Sequence, residues 1–485
     1  MDFTCIVLFL ALYYIKPQEW TPIFAAIHFV QLTMLASLGT LFFRERSLKA
    51  KDFFRTPHDW AVIGFLIWIF ITSPTPLETL KDEVINRAIF YIVTVQTLFS
   101  LTRLNKFLGW WTAFLVITAF LAIAGEFFWD PLGSHEITNG RMKGRLVLNL
   151  SMVNNPNALA HALAPGLAML YYCTIWKRSV FLKALGILGL VLITITIFLT
   201  QSKGGFLATG ITIFAMFTFG RPKSAQIVIS AVLILAGSAA LYSLPRMNEL
   251  NRSKSDQAIQ GRVLSFTHGY HYYQHTRVGV GIGNFMRQQY ADFKLMKAPH
   301  SVYNAIGAQQ GKPGMFLFLL IMWSNFRTLI FMKTQNAEQE RARRILFTLV
   351  LSYALSGWMV DFAYRPSFFL FTAAIAVMHR LFVIKETDET DTEPERLKWK
   401  HAPAAPVLAM PGPPLQLAST PAVAGIPRLA FMQVESPAPL RGENKETVNN
   451  ENKKTSQGIG WIDIVVVLVL QKAVEMVWVY SIHHM

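Results

Sequence analysis

The sequence predicts an all-α, polytopic integral membrane protein of about twelve transmembrane helices, and three observations carry that prediction. Of its 485 residues, 53% are hydrophobic and only 15% charged, against roughly a quarter charged in an ordinary soluble domain. Apolar runs long enough to cross a hydrocarbon layer about 30 Å thick recur along residues 1–385. Most Lys and Arg residues fall in the short segments between those runs, where they set membrane orientation. The net charge of +16 therefore reads as topology signal and excludes a nucleic-acid binder.

The apolar runs lie near 3–15, 21–43, 59–73, 84–100, 107–128, 157–176, 180–200, 204–219, 224–243, 315–332, 345–360 and 366–384. The first is short, so it is tilted or only partly inserted. Basic residues follow the even-numbered runs: Arg44, Arg46, Lys49, Lys51 and Arg55; Arg103 and Lys106; Lys177, Arg178 and Lys183; Arg221 and Lys223; Arg327, Lys333, Arg341, Arg343 and Arg344. Those loops belong in the cytoplasm, as do both ends of the twelve-span core. Most odd-numbered loops are poor in Lys and Arg, with three exceptions. The 130–156 loop carries Arg141, Lys143 and Arg145; the turn after the seventh run carries Lys203; the long 244–314 loop carries Arg262 and eight further basic residues. Long loops are largely exempt from the charge rule, yet basic residues crowding one outer face suit an anionic ligand such as a lipid-linked pyrophosphate.

Cys5 and Cys173 both sit inside apolar runs, which predicts no disulfide and no structural zinc site. Met1-Asp2-Phe3 offers neither a basic n-region nor a small-residue cleavage site, arguing against a cleaved signal peptide. Composition divides the chain into a bundle over 1–200, a core over 201–385 that includes the 244–314 loop, a tail over 386–460 and a hydrophobic helix over 461–482. The tail is acidic at first, then rich in Pro and Ala, and reads as disordered and cytoplasmic. The last helix is interrupted by Asp463, Gln471, Lys472 and Glu475, and the sequence favours a surface or weakly inserted helix over a thirteenth span.

The outer loop is the informative segment. It holds Gly261-Arg262, the Gly279-Val280-Gly281-Ile282-Gly283 run, His300-Ser301-Val302-Tyr303 and Gln309-Gln310-Gly311-Lys312-Pro313-Gly314. Pro313 fits the first turn of the span that follows. The glycine run lacks the strand–helix context of a dinucleotide fingerprint and reads as a tight loop. His268, His271 and His275 share a helical face without a carboxylate or Cys beside them, so an interfacial face is favoured over a metal site. Arg87, near the outer end of its apolar run, either snorkels or faces the bundle interior.

His300-Ser301-x-Tyr303, followed by Gly311-x-x-Gly314 and an apolar helix, resembles the O-antigen ligase and O-antigen polymerase superfamily. Gln201-Ser202-Lys203-Gly204-Gly205 is similar to that superfamily's Ser-Arg-Gly turn, and Gly261-Arg262 to its second arginine. Tyr14-Ile15-Lys16-Pro17 and Asn154-Asn155-Pro156-Asn157 resemble the exosortase-A-associated O-glycosylation ligases within it. The resemblance covers residues 1–385 and implies a GT-C-like membrane fold with a large periplasmic loop in the bacterial inner membrane. It implies metal-independent transfer of a glycan, with inversion, from undecaprenyl diphosphate to a hydroxyl on a lipid, protein or glycan, with no cofactor. His300 would then be the general base, Arg262 and Lys203 would hold the diphosphate, and Arg141 and Arg145 join them as binding candidates. Ser301, Tyr303 and Gln309 complete the motif.

The chemistry asks for these residue types independently. A sugar–diphosphate bond already has a good leaving group, so what remains is to neutralise developing charge and deprotonate a weak nucleophile. Arg grips phosphate oxygens with two N–H groups, and His titrates near neutrality. Bland readings stand beside these: His300 as a helix-start residue, Arg262 as a headgroup contact, Lys203 as a snorkelling span end. Three positions depart from the family pattern: Lys203 stands for Arg, Gln309 for a glutamate and Phe266 for a Trp, which leaves room for altered acceptor choice or weak activity. Rival classes are a lipid-linked glycan transporter, disfavoured because no internal repeat is visible, and an inactive scaffold whose tail recruits a partner.

Overall fold

The computed structural model describes residues 2–20, 29–43, 54–142, 144–242, 257–384 and 458–484. The tail expected at 386–460 lies almost wholly outside the described residues, as do 21–28, Lys143 and the first part of the 244–314 loop. Among the described residues the protein is all-helical, with no strand. In chain order the helices are α1 (Asp2–Tyr14), α2 (Phe29–Phe42), α3 (Pro57–Ile71), α4 (Ile85–Thr97), α5 (Leu101–Phe127), α6 (Ser134–Asn139), α7 (Pro156–Leu170), α8 (Val180–Leu199), α9 (Lys203–Thr218), α10 (Lys223–Tyr242), α11 (Gln257–His275), α12 (Phe285–Phe293), α13 (Val302–Phe331), α14 (Ala337–Ser356), α15 (Pro366–Met378) and α16 (Trp461–His484). Among the described residues, five helical stretches are long and apolar enough to cross a membrane: Leu101–Phe127, Pro156–Ile175, Val180–Leu199, Val302–Phe331 and Pro366–Val383.

Local sequence sets where these helices start. Thr56 accepts from the Asp59 N–H while the Asp59 carboxylate accepts from the Thr56 N–H, a capping box followed by Pro57 at the first helical position. Ser100, Asn155, Ser202, Ser301 and Asn336 cap α5, α7, α9, α13 and α14 with their side chains, each accepting from a backbone N–H two or three residues on. The apolar interior is continuous, with Phe65, Phe107, Trp111, Phe318 and Phe368 fully buried at its centre.

The described part of the 244–314 segment, expected as a loop, folds into α11, α12 and the first part of α13. The reason is side-chain partnering: α11 lies against α13 and buries Phe266 and Tyr273 there. His268 stacks on Phe293 of α12 at 3.9 Å and meets the Gln289 amide at 3.0 Å. The glycine run is a tight loop pressed on a break in α13. Gly311 has φ 65°, ψ −167°, and Pro313 follows it, so the helix restarts close to where the sequence placed its first turn. The carbonyls freed at 308–310 are taken up by the Val280 N–H (3.0 Å), the Gly281 N–H (2.8 Å) and the Trp68 Nε1–H (2.9 Å). Gly279 lies so close to the Gln309 carbonyl that any Cβ would overlap it, and at φ 81° only glycine is unstrained.

The C-terminal helix, expected as a surface or weakly inserted helix, packs one face on the bundle and leaves the rest exposed. α16 runs antiparallel to α13, packed against both α13 and α11. Asp463 pairs with Arg327 at 2.7 Å near one end of α13, and Trp478 lies over Gly307 near the other. The polar residues that read as interruptions each face a partner: Asp463 also accepts from Trp323 (2.8 Å), Gln471 donates to the Tyr273 hydroxyl (2.9 Å), and Glu475 accepts from that hydroxyl (2.6 Å). A hydropathy reading counts such groups as a cost, whereas paired inside a bundle they act as ties.

Candidate functional site

The motif residues gather at one end of the bundle, where α7, α9, α11, α13 and the 357–365 segment meet. His300 sits in the turn just before α13 with φ 56°, a left-handed conformation uncommon for a residue with a side chain. Such a conformation costs of order 1–3 kcal/mol and persists only where surroundings over-determine it. Here they do. Asn304, fully buried, donates from Nδ2 to the Pro299 carbonyl at 2.8 Å and to Ser265 at 3.2 Å. Ser265 Oγ donates to the Ala298 carbonyl at 2.8 Å. Ser301 caps α13, and the Val302 N–H donates to the Gly357 carbonyl at 2.7 Å. The imidazole itself has no hydrogen-bond partner among the described residues. Burial, then Arg262 and Lys297, push its pKa down to about 4, so the ring is neutral at neutral pH.

Arg262, on α11, is within electrostatic reach of both His300 and His161. Lys297 extends past Gly261, its Cε 3.5 Å from where a Cβ would stand, and adds a second positive charge beside His300. Lys203 opens α9, part-exposed and without a hydrogen-bond or ion-pair partner among the described residues. The two glycines after it let α9 approach α7 closely. A Cβ on Gly205 would overlap the Ala160 methyl, and one on Gly204 would stand 2.9 Å from His161 Nε2 and 3.2 Å from Met359 Cβ. Gly205→Ala is therefore expected to separate the two helices and destabilise the protein by about 1–3 kcal/mol; a thermal unfolding midpoint in detergent equal to wild type would refute this.

The Asn154-Asn155-Pro156-Asn157 motif ties α7 to that turn. Asn155 caps α7, and Asn157 Oδ1 accepts from Ser202 Oγ at 2.8 Å and from Arg145 Nη2 at 2.9 Å. Arg145 also donates from Nε to the Thr200 carbonyl at 3.0 Å. Its guanidinium thus braces the Ser202-Lys203 turn. Arg141 is exposed on the turn after α6 and makes no hydrogen bond or ion pair among the described residues.

Ser301 and Tyr303 are structural in these contacts. Ser301 is the α13 cap, and Tyr303 donates its hydroxyl to the Ala354 carbonyl at 2.7 Å while stacking on Trp358 at 4.5 Å. Gln309 accepts from the Gly283 N–H at 2.9 Å and so holds the glycine loop. Arg87 faces inward, donating to the Tyr364 carbonyl at 3.0 Å.

Four residues here were not singled out from the sequence. Asn304 and Ser265 carry no motif signal. Asp361 lies in the 357–365 segment, where burial raises its carboxyl pKa to about 6. His161 is 4% exposed inside α7, and a lone ionisable residue in an apolar run was the signal available for it.

His300 and Arg262 thus lie within electrostatic reach of each other at one end of the bundle, and Lys203 opens α9 at the turn packed on His161. Residues 188–319 match the sequence model of a family described as O-antigen ligase. That stretch runs from within α8 to within α13 and contains Lys203, Arg262, His300, Ser301, Tyr303 and Gln309. The match supports the O-antigen ligase superfamily and an O-antigen ligase- or polymerase-type membrane enzyme, a class that uses a lipid-linked glycan donor and an acceptor. No curated protein matches the chain.

Proposed function

We propose that the protein is a glycosyltransferase of the O-antigen ligase type, moving a glycan from undecaprenyl diphosphate to a hydroxyl acceptor on the periplasmic face of the bacterial inner membrane. The observation that carries this reading is the unbonded, neutral imidazole of His300, held in a left-handed turn beside Arg262 within the segment matched to the family. In the reaction, the acceptor oxygen bonds to the anomeric carbon while the bond from that carbon to the diphosphate oxygen breaks. The hydroxyl proton passes to His300, and the bonding pair leaves with the diphosphate, whose charge Arg262 and Lys203 neutralise. No metal is needed in this scheme, since cationic side chains occupy the places where charge develops.

Sidedness follows from charge. The end of the bundle opposite His300 carries Arg103, Arg178, Arg327, Arg341, Arg343 and Arg344, which suits the cytoplasmic face. The tail between α15 and α16 then starts and ends there. The N-terminal motifs favour a ligase of the exosortase-associated kind over a polymerase.

The test is the lipid-linked glycan pool in a deletion strain complemented with wild type, His300→Ala or Arg262→Ala. Deletion and both variants should accumulate periplasm-facing donor and lose the finished glycoconjugate. Donor accumulating on the cytoplasmic face instead would make the protein a transporter and overturn the assignment.

A further inference from the structure

We propose that His161 is a third donor-binding side chain of this site, giving its ring N–H to the diphosphate alongside Lys203 and Arg262. This rests on the glycosyltransferase reading above and adds a residue outside the segment matched to the family.

Neither ring nitrogen of His161 has a hydrogen-bond partner among the described residues, although the residue is only 4% exposed. Buried polar groups are almost always paired, and an orphan in a native protein calls for an explanation. Its position supplies one. Nε2 faces the Lys203-Gly204 turn, 2.9 Å from where a Gly204 Cβ would stand, so only glycine at 204 leaves room for the ring against that turn. Arg262 acts on the same ring electrostatically. His161 thus lies against the turn that carries Lys203 and within electrostatic reach of Arg262.

On its other side, His161 lines a mostly apolar cavity that also takes in Tyr14, Trp111, Ser352, Ser356 and Arg365. A neutral imidazole there has one N–H to give and one lone pair to receive. The group best suited to complete it, within reach of Arg262 and beside the turn that opens α9, is an anionic oxygen. A phosphate oxygen meets that description, and a charge-assisted bond to it is stronger than one between neutral groups. The Asn157–Ser202–Arg145 tie fixes α7 against α9, so ring and lysine are held in one frame before the donor arrives.

The experiment uses the full-length protein in lipid nanodiscs and measures binding of undecaprenyl diphosphate without glycan, and its competition by inorganic pyrophosphate. His161→Phe keeps a ring of similar size and removes the N–H; His161→Gln keeps an N–H donor. Affinity for the lipid should fall at least tenfold in His161→Phe and stay within about threefold of wild type in His161→Gln, with pyrophosphate competition weakened in the same order. Unfolding midpoints in the same nanodiscs separate lost binding from lost structure. Wild-type affinity in His161→Phe overturns the inference while leaving the glycosyltransferase reading intact. Absence of binding by the wild type itself overturns the donor assignment, and this inference with it.

Discussion

His300→Ala is expected to lower transfer by about 10²–10⁴-fold, the usual contribution of a positioned general base, while the protein remains folded and inserted. The structural reason for separability is that the turn around His300 is held by Asn304, Ser265, Ser301 and the Val302–Gly357 backbone bond, none of which involves the imidazole. Alanine at φ 56° is less comfortable than histidine, so a loss of order 1 kcal/mol in stability accompanies the change. His300→Gly, which relaxes that strain, should be as inactive yet at least as stable. Near-normal product from either variant would remove the catalytic role.

The pH profile sharpens the same prediction. An ordinary histidine base, with pKa near 6.5, is mostly protonated by pH 5.5. Burial and the charges of Arg262 and Lys297 push His300 to about 4. The free enzyme therefore keeps a neutral base down to about pH 5, and kcat/KM for the donor should stay flat from pH 8 to 5 and fall only as pH approaches 4. A bound diphosphate brings negative charge beside the ring and shifts its pKa upward, so kcat should decline at a higher pH than kcat/KM does. Coincident declines near pH 6.5 would mean that neither burial nor the charges of Arg262 and Lys297 act on His300 as described.

Much of the helix order was legible because a helix in an apolar run must satisfy its own backbone, and caps and prolines mark its start. Thr56-Pro57, Asn155-Pro156 and Ser301 are visible in the sequence as such. The site was legible in part. Arg262 and His300 stand out as charged and titratable groups in a loop, and they lie within electrostatic reach of each other. What was not legible depends on tertiary pairing. Arg145 reads as a free cation until Asn157 and the Thr200 carbonyl are seen beside it. Gln309 reads as a departure from a glutamate until its amide oxygen is found on the Gly283 N–H. His161 reads as a core residue until its nitrogens are found without partners.

The C-terminal helix leads to the second large expectation. Trp478 is fully buried, its ring is packed over Gly307 and against Tyr273 at 5.4 Å, and its Nε1–H donates to the Phe266 carbonyl at 3.2 Å. Phe266 is one turn along α11 from Arg262, and Gly307 is two turns along α13 from His300. Trp478 thus clamps the helix bearing the arginine to the helix that follows the histidine. Trp478→Ala should destabilise the protein by about 3–5 kcal/mol, the range for emptying a buried aromatic site, and should reduce transfer because α11 loses its register on α13. Trp478→Phe fills most of the space and forfeits only the hydrogen bond, for about 1 kcal/mol. Lys472→Ala, on the exposed face of the same helix, should change neither property. The measurements are the unfolding midpoint in detergent and the rate of product formation with saturating donor. If removal of residues 458–485 leaves both at wild-type values, α16 is a passenger on the surface and the hydropathy reading of that helix was right. If both fall together, the polar residues Asp463, Gln471 and Glu475 are what fasten it in place, and the long tail exists to return a helix to the bundle beside the site.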